Sequence, residues 1–350
     1  MKVLRLILFP FTFIYGFVVI VRNLLFDLGI FKSHTFRIPV ISVGNLTVGG
    51  AGKSPMTEYL VDLLKDRYDL ATLSRGYGRK TRGYRNVTLA STADETGDEP
   101  LQFKNKFPSV AVAVAEKRKE GIEMLQKSHK LIILDDAYQH RSVKPGFSIL
   151  LYEYSAASKV QWFLPTGDLR EPLSGRKRAD CIVVTKSPPR LTSDEKNRII
   201  NAIGPYAHQQ VFFSYLDYGD LRSADTDESK PLDSLTSDTA ILLLTGIANP
   251  EPLVRELRRY TGNLYHHSYA DHHTFTPKNI LKIAEEYRGL NHQDKVLITT
   301  EKDLQRLKGP DMKELLKGLP VYYLPVKAAF NEPEKARFDQ LILNYVTKHL

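Results

Sequence analysis

The sequence predicts an α/β fold in which a mostly parallel sheet is covered by helices, with a second, smaller α/β domain and a membrane-associated N-terminal helix. Short apolar runs alternate with helical patterns along most of the 350 residues, a rhythm typical of doubly wound sheets. The composition becomes polar and acidic over residues 216–239, and apolar runs then return. An almost uncharged apolar stretch precedes the first strand-like run. These three observations indicate one larger and one smaller α/β domain behind an apolar helix.

The first 31 residues predict a helix that associates with a membrane. Residues 6–21 carry no charge, and basic residues flank them on both sides. The run is shorter than the ~20 residues of a typical span, Pro10 and Gly16 interrupt it, and no small-residue cleavage site follows it. We therefore expect an uncleaved helix that lies in or dips into the bilayer face. A buried hairpin of core helices is the alternative, and the scarcity of polar residues argues against it.

Residues 32–215 are expected to form the larger domain, residues 216–239 a polar junction, and residues 240–350 the smaller C-terminal domain. The strand-like runs of the larger domain are residues 38–43, 70–73, 110–114, 131–134, 149–151, 181–184 and 211–213. Those of the smaller domain are residues 241–244, 264–266, 296–298 and 321–324, before a final helix near residues 338–346.

The overall composition narrows the partners. A hydrophobic content of 42% supports two domains with apolar cores and excludes a disordered chain. The net charge of +9 favours an anionic partner, which is nucleic acid, an anionic membrane surface or a phosphorylated substrate. The single cysteine, Cys181, lies in an apolar run and indicates a buried strand thiol, so no disulfide framework exists and a reducing cytosol is expected.

The turn after the first strand has the features of a loop that binds a nucleoside triphosphate. Residues 47–55 read T-V-G-G-A-G-K-S-P. Glycines allow backbone N–H groups to surround phosphates, Lys53 supplies a charge, and the Ser54 hydroxyl can bind Mg²⁺. The match to the usual P-loop pattern is imperfect, because Thr47 stands where glycine is usual and Pro55 has no N–H to donate. A glycine-rich turn without phosphate is the alternative, but the preceding strand and following helical pattern favour a P-loop.

An apolar strand that ends in two carboxylates, L-I-I-L-D-D at residues 131–136, indicates the partner of this loop. Asp135 or Asp136 can hold Mg²⁺ beside Ser54 and the phosphates. Gln139 and His140 follow, and both side chains can reach a ligand at the same sheet edge.

Three further loops combine turn residues with charges: S-R-G-Y-G-R at 74–79, G-D-E-P at 97–100 and L-P-T-G-D-L-R-E-P at 164–172. Each alone is more typical of a solvated loop, but all follow strands of one sheet, where ligand sites of α/β proteins form. T-G-I-A-N-P at 245–250 and T-T-E-K-D at 299–303 follow strands of the second domain. We expect these to line a cleft between the domains.

Histidines concentrate in the second domain, at His266, His267, His272 and His273. Their spacing matches none of the standard zinc patterns, and no cysteine accompanies them. A His–Asp pair that orients a group or relays a proton is the better functional interpretation. Ordinary surface histidines remain the alternative for His266 and His267.

Taken together, these segments resemble the tetraacyldisaccharide 4'-kinase family of lipid A biosynthesis. The matching segments are those described above together with D-H-H-T-F at 271–275, and they occur in one order from residue 43 to residue 303. The resemblance also covers the apolar N-terminus, which in that family docks on the cytoplasmic face of the inner membrane. It implies transfer of the ATP γ-phosphoryl, with Mg²⁺, to the 4'-hydroxyl of a lipid A disaccharide 1-phosphate precursor. No nucleic-acid or protein partner is expected.

The resemblance also implies a role for individual residues. Asp98 is expected as the general base on the sugar hydroxyl, with His272 holding or tuning it. The expected metal ligands are Ser54 with Asp135 or Asp136. The expected nucleotide contacts are Thr47, Val48, Gly49, Gly50, Ala51, Gly52, Lys53 and Ser54. The expected substrate or phosphate contacts are Arg75, Arg118, Gln139 and His140, with Glu171 in an undefined role in the cleft.

Two other functions fit parts of the sequence. A P-loop GTPase of metallochaperone type would explain the histidines, but it requires a guanine-reading N-K-x-D motif. The best candidate is T-K-S-P at 185–188, where Pro188 replaces the required aspartate. A nucleic-acid-binding ATPase would use the positive charge, but the sequence has no platform of interleaved aromatic and basic residues.

Overall fold

The computed structural model describes residues 7–350, apart from the side chains of residues 310 and 311. Residues 1–6 of the predicted N-terminal segment 1–31 therefore lie outside the described residues. The described chain forms a nine-stranded sheet and a six-stranded sheet, with helices packed on both. This confirms the predicted α/β class.

The elements follow one another along the chain in the expected alternation. The strands are β1 (Val40–Asn45), β2 (Leu70–Ser74), β3 (Arg85–Asn86), β4 (Ala111–Val114), β5 (Leu131–Asp135), β6 (Phe147–Glu153), β7 (Cys181–Thr185), β8 (Gln210–Tyr218), β9 (Leu221–Ser223), β10 (Ser229–Lys230), β11 (Ala240–Thr245), β12 (Leu264–Ser268), β13 (Lys295–Thr300), β14 (Val321–Leu324) and β15 (Val326–Phe330). The α-helices are α1 (Phe9–Asp27), α2 (Lys53–Leu64), α3 (Ala93–Thr96), α4 (Asp98–Lys106), α5 (Arg118–Leu125), α6 (Tyr154–Ala157), α7 (Ser193–Ile203), α8 (Glu251–Leu257), α9 (Pro277–Gly289), α10 (Glu301–Leu307), α11 (Pro310–Leu316) and α12 (Glu334–His349). Short 3₁₀ helices occupy Leu173–Arg178 and Leu232–Ser234.

The larger sheet has the order β15-β8-β7-β6-β1-β5-β2-β4-β3. Its inner strands run parallel, and the edge strands β3 and β15 are antiparallel to their neighbours. Strand β1 lies between β5 and β6, so the turn after β1 emerges beside the end of β5. In an open parallel sheet, this carboxyl edge is where ligand sites form.

Helix α2 packs on this sheet through apolar residues at helical spacing. Met56, Leu60 and Leu64 recur every four residues, and all are fully buried against Ile41 and Ile133. Burying each such side chain contributes about 1.5–3 kcal/mol. The helix that begins at the glycine-rich turn is therefore fixed firmly to the central strands.

The smaller sheet has the order β10-β9-β14-β13-β11-β12, with a parallel centre from β14 to β12. Strands β9 and β10 come from the stretch predicted as a polar junction, so that stretch supplies two short strands of this sheet and is not only a linker.

The C-terminus differs from the predicted second domain, because β15 and α12 return to the larger sheet. Strand β15 pairs with β8, and α12 buries Phe338 and Ile342 in the core of the larger sheet. The Tyr345 hydroxyl accepts from the Val40 N–H at 3.1 Å. Local pattern does not distinguish the two sheets, since an apolar strand after β14 reads the same whichever sheet it joins.

The chain thus crosses between the two units twice, at neighbouring points. Residue Tyr218, at the end of β8, pairs with Val326 at the start of β15. The Gly219 N–H donates to the Pro325 carbonyl at 3.0 Å, so the two crossings are hydrogen-bonded to each other.

Helix α1 lies on the body of the protein with a narrow buried stripe and a broad apolar exposed face. The buried residues are Thr12, Gly16, Val19 and Asn23. A Cβ atom at Gly16 would lie 2.8 Å from Phe163, so this close approach requires glycine. By length and composition, the helix is able to cross a membrane. Its exposed large side chains include Phe11, Phe13, Ile14, Phe17, Val18, Ile20 and Leu24.

Candidate active site

A cavity of about 590 Å³ lies at the carboxyl edge of the larger sheet and faces the smaller sheet. Its lining combines the turn after β1, the ends of β2 and β5, and the loops that follow β11, β12 and β13. Among the described residues, the non-glycine residues with positive φ are Asp136, Lys186 and His272, and all three line this cavity. Backbone strain of this kind clusters at functional sites.

The glycine-rich turn has the backbone that its composition predicts. Gly49 and Gly52 have φ values of 102° and 79°, which side chains other than glycine rarely adopt. Helix α2 begins directly after Gly52, so Pro55 lies in its first turn, where the missing N–H breaks no helical bond. The Thr185 hydroxyl donates to the Ala51 carbonyl at 2.8 Å and supports the turn from β7.

Most of the predicted nucleotide contacts line the cavity. Residues 48–54 all do so, whereas Thr47 does not. Thr47 instead forms a bridge with Leu169, and the Val48 N–H already donates to the Asp168 carbonyl at 2.7 Å. The start of the turn is therefore bound to the L-P-T-G-D-L-R-E-P loop, and the N–H groups free to face phosphates belong to its later residues.

Two cations converge on the second carboxylate after β5. The Lys53 ammonium lies 3.6 Å from Asp136 Oδ1 and 3.2 Å from Asn45 Oδ1. The Arg170 guanidinium lies 3.0 Å from Asp136 Oδ1 and 2.7 Å from Asn45 Oδ1. Arg170 also lines the cavity, and the sequence reasoning did not single it out although it lies in a motif that was noted.

The paired carboxylates differ in their charge state. Burial opposes ionisation of Asp136, but Lys53 and Arg170 outweigh it and lower its pKa to about 2. Burial and the neighbouring Asp136 charge raise the pKa of Asp135 to about 7. Thr57 donates to Asp135 Oδ1 at 3.1 Å. Asp135, Asp136 and Ser54 all line the cavity, and their hard oxygen atoms are of the kind that binds Mg²⁺.

Asp98 and His272 come together between the two units, as the resemblance implies. Asp98 is the first residue of α4 and is buried, and His272 Nδ1 lies 3.0 Å from its Oδ2 atom. Burial alone would raise the pKa of Asp98, but hydrogen bonds from His272 and Arg306 lower it. His272 lines the cavity, whereas Asp98 does not and lies behind the ring.

The hydrogen bonds of His272 define its tautomer. The Asp98 carboxylate can only accept, so Nδ1 carries the proton. The Lys302 ammonium, 3.1 Å from Nε2, can only donate, so Nε2 holds a lone pair. In this tautomer the accepting nitrogen, Nε2, lies on the opposite side of the ring from Asp98.

Arg306 and Lys302, both on α10, complete this cluster, and neither was predicted as a site residue. Arg306 Nη2 lies 2.6 Å from Asp98 Oδ2, and a second arm of its guanidinium lies 2.9 Å from the buried Asp303. Lys302 lies 2.8 Å from Glu99. Asp98, Glu99 and His272 are close enough to hold a metal ion, but these two cations already neutralise the carboxylates.

The predicted substrate contacts divide into two groups. Arg75, Gln139 and His140 line the cavity. Burial, followed by the Arg118 and Arg75 charges, lowers the pKa of His140 to about 4, so the ring is neutral at pH 7. The Gln139 carbonyl accepts from Arg22 of α1 at 2.7 Å, which links the N-terminal helix to the site.

Arg118 and Glu171 lie behind the cavity rather than in it. Arg118 is fully buried, and its Nη1 donates to the Ala115 carbonyl at 2.5 Å. Burial lowers the pKa of Arg118 to about 10 although Asp135 and Asp136 oppose this. Glu171 is also fully buried, 2.6 Å from Arg178. Both carry charge into the layer beneath the cavity.

The other histidines of the second unit have separate partners. His266 pairs with the Thr245 hydroxyl at 2.8 Å, His267 with Glu286 at 2.8 Å and His273 with Asn279 at 3.1 Å. Among the described residues, these three histidines form no shared cluster.

Comparison with known proteins gives one consistent result. The family described as tetraacyldisaccharide-1-P 4'-kinase (LpxK) matches residues 4–347. A tetraacyldisaccharide 4'-kinase of Flavobacterium psychrophilum is 46% identical, over 99% of this chain and 98% of its own length. That of Bacteroides thetaiotaomicron is 44% identical, over 98% of this chain and 93% of its own length.

A solved structure is similar over its full length as well. The crystal structure of LpxK from Aquifex aeolicus in complex with ATP covers 98% of this chain and 99% of its own, with 29% identity and a TM-score of 0.74.

Proposed function

The chain belongs to the tetraacyldisaccharide 4'-kinase family, and on that premise we propose how its residues divide the reaction. The protein is an ATP-dependent, Mg²⁺-requiring kinase that phosphorylates the 4'-hydroxyl of a tetraacyldisaccharide 1-phosphate and forms lipid IVA. The metallochaperone-type GTPase is not favoured.

The nucleotide side of the cavity binds the triphosphate through residues 48–54, with Lys53 on its outer phosphates. Lys53 and Arg170 share Asp136 and Asn45 as partners, so both cations are already directed at the place where the phosphates arrive. Ser54, Asp135 and Asp136 are the residues that would hold Mg²⁺, which neutralises charge on the transferring phosphoryl group. Thr47 supports the loop through Leu169 and makes no phosphate contact in this assignment.

The Asp98–His272 pair accepts the proton of the acceptor hydroxyl. The observation that carries this proposal is that His272 lines the cavity while its Nδ1 is held by Asp98, which leaves Nε2 as the nitrogen that can accept a proton. As the hydroxyl oxygen bonds to the γ-phosphorus, its proton passes to Nε2, where it replaces the hydrogen bond from Lys302, and the bond from the γ-phosphorus to the β-γ bridging oxygen breaks to release ADP. Asp98 stabilises the imidazolium that results. In this proposal the ring takes the role of base that the resemblance implies for Asp98, because His272 lines the cavity and Asp98 does not.

Two substitutions test this assignment. His272→Gln removes the base, and Asp98→Asn allows the opposite tautomer to form. We expect each to lower kcat by about 10²- to 10⁴-fold, with the affinity for ATP nearly unchanged. His273→Gln is the matched control, because that ring pairs with Asn279 and should keep normal turnover. If Asp98→Asn is inactive while His272→Gln keeps most of its turnover, Asp98 takes the proton and the role given to the ring is wrong.

Arg75, Gln139 and His140 contact the polar head of the acceptor, and the buried Arg118 raises the positive potential beneath it. The neutral His140 ring provides a hydrogen bond rather than a charge at pH 7. Arg75→Ala should therefore raise the KM for the lipid acceptor and leave the KM for ATP unchanged, which steady-state kinetics with each substrate varied would measure.

Helix α1 docks the enzyme on the cytoplasmic face of the inner membrane. The support for this proposal is its exposed apolar face, on which Phe13 and Phe17 are 60% and 68% exposed. The buried stripe of Thr12, Gly16 and Asn23 holds the opposite face against the body. The acceptor is a lipid, so an enzyme held at the bilayer surface meets it directly.

Sedimentation with vesicles tests this docking. The double variant Phe13→Asp and Phe17→Asp should stay in the supernatant, whereas the unmodified chain should sediment with anionic vesicles. Both residues are exposed, so folding should persist. Thr236→Asp, on the smaller unit, is the control and should sediment normally; equal sedimentation of the double variant would contradict the proposal.

A further inference from the structure

A cluster of buried and partly buried charges, of which Glu301 lines the cavity, has no role in the assignments above and connects three helices of the site. Glu58 on α2 is 2% exposed. Lys106, the last residue of α4, lies 2.7 Å from Glu58 and 3.1 Å from Glu301, the first residue of α10. Gln102 donates to the other oxygen of Glu58 at 2.7 Å. One ammonium therefore bridges two carboxylates: one on a helix that packs on the larger sheet, and one that directly follows a strand of the smaller sheet.

Each of the three helices carries one part of the reaction site. Helix α2 begins with Lys53 and Ser54 of the phosphate-binding turn. Helix α4 begins with Asp98, and Asp98, Gln102 and Lys106 recur every four residues on one helical face. Helix α10 carries Lys302 and Arg306, which contact His272 and Asp98. The cluster thus joins the nucleotide side of the cavity to the acceptor side.

The energetics of the cluster do not favour a purely stabilising role. Burial raises the pKa of Glu58 to about 7, because the Lys106 charge that opposes this effect is itself opposed by Glu301. Buried ion clusters contribute little net stability, since desolvation of the charges offsets their attraction. What such a cluster supplies is a defined distance between the elements that carry it.

We propose that Lys106, held between Glu58 and Glu301, is a positioning residue that sets the distance between the phosphate-binding turn and the Asp98–His272–Arg306 cluster. It touches no substrate and acts through α4 and α10. The hydrogen bond from Asn105 to Gln305 at 2.7 Å also joins α4 to α10, and the Val326 N–H of β15 donates to Glu301 at 3.3 Å. The inference rests on the site roles proposed above. It predicts that a change of Lys106 alters the distance between the phosphate-binding turn and the Asp98–His272–Arg306 cluster, and so lowers turnover, while ATP affinity stays nearly the same.

The test is the kinetics of Lys106→Met and Lys106→Arg in the full-length protein with the lipid acceptor. We expect Lys106→Met to lower kcat at least tenfold while ATP affinity, measured by titration without acceptor, changes less than threefold. Lys106→Arg should recover most of the turnover, because a guanidinium can also bridge two carboxylates. Lys317→Met, which removes an exposed lysine from a surface pair with Glu314, is the control and should change neither quantity.

A second variant covers the case in which Lys106→Met does not fold. Replacing all three charges, as Glu58→Gln, Lys106→Met and Glu301→Gln, leaves no unpaired buried charge. If the cluster positions the site, this folded triple variant still has low kcat. Normal turnover in the triple variant would overturn the proposal.

A double variant separates this proposal from the assignment of the base. Lys106→Met combined with His272→Gln should be no slower than His272→Gln alone, because Lys106 acts through the same cluster. Multiplied losses would overturn the proposal. If His272→Gln alone has normal turnover, the base assignment fails, and the loss caused by Lys106→Met still decides the role of Lys106.

Discussion

The two sides of the cavity are built in different ways. On the nucleotide side, residues 48–54 form one continuous turn between β1 and α2, and its backbone makes the site. On the acceptor side, Asp98 meets His272 across 174 residues of sequence and Arg306 across 208. The first side is determined by local composition, above all by Gly49 and Gly52. The second exists only when two sheets are in place, and its geometry depends on ion pairs between them.

This comparison predicts that substitutions on the nucleotide side weaken both ATP binding and transfer, with the largest effect at Lys53. Lys53→Ala removes the charge next to the phosphates and should lower kcat/KM for ATP by about 10³-fold. Kinetics with ATP varied would measure the loss. Lys65→Ala is the control and should have no effect on these kinetics, because Lys65 lies at the far end of the same helix, where it pairs with Asp62. Normal activity of Lys53→Ala would show that the turn does not serve the triphosphate.

The acceptor side should respond differently, with loss of turnover and unchanged ATP binding. Arg306→Ala removes the guanidinium that holds Asp98 at 2.6 Å, and we expect kcat to fall by about 10²-fold. Arg306→Lys should recover only part of this, because a lysine cannot contact Asp98 and Asp303 as a fork does. If titration showed that Arg306→Ala weakens ATP binding, the acceptor side could no longer be distinguished from the nucleotide side by its effect on turnover alone.

The ion pairs of the acceptor side should also appear in the pH dependence of stability. The pKa of Asp98 is lower in the folded protein than the value of ~3.9 in an unfolded chain. Its contribution, about 1–3 kcal/mol, is therefore present above pH ~4 and is lost as pH falls through the lowered pKa. Thermal unfolding of the unmodified protein and of Asp98→Asn should differ most near neutral pH, and the difference should shrink below pH ~4. A constant difference down to pH ~3 would exclude this contribution.

The smallest effect is expected where a side chain supports the nucleotide turn from outside. Thr185→Val removes the hydrogen bond to the Ala51 carbonyl and should cost about 1 kcal/mol of stability. ATP affinity should fall by a few fold, because the turn is less firmly held. Thr185→Ser keeps the hydroxyl and should behave normally in both calorimetry and ATP titration; a loss in Thr185→Ser would assign the effect to the methyl group instead.

The same difference explains how much of the molecule could be predicted. The P-loop, the carboxylates after β5 and the alternating strands follow from local pattern, and the resemblance to a family supplied the Asp98–His272 pairing. Arg170 and Lys302 lay inside motifs that were noted but had no distinguishing signal. Arg306 lay in no motif, since only the fold brings it to Asp98.

Local sequence pattern also could not predict the burial of two charged residues or the return of the C-terminal segment to the larger sheet. Arg118 and Glu171 are charged residues that sequence reasoning placed in the cleft, but both are fully buried beneath it. The return of β15 to the larger sheet depends on its pairing with β8, and nothing in the sequence of residues 326–330 predicts that pairing. Contacts between distant segments decide such features.

The double crossing between the two units has a mechanical consequence. A single covalent connection would act as a swivel, whereas two connections joined by the Gly219–Pro325 hydrogen bond act as a hinge that bends about one axis. If the smaller unit opened about this hinge, His272 and Arg306 would leave Asp98 and return to it along one arc. Because the two connections would restrict the motion to one axis, each closure would bring the same donors to the same carboxylate. The catalytic groups would then be aligned by the hinge in every turnover.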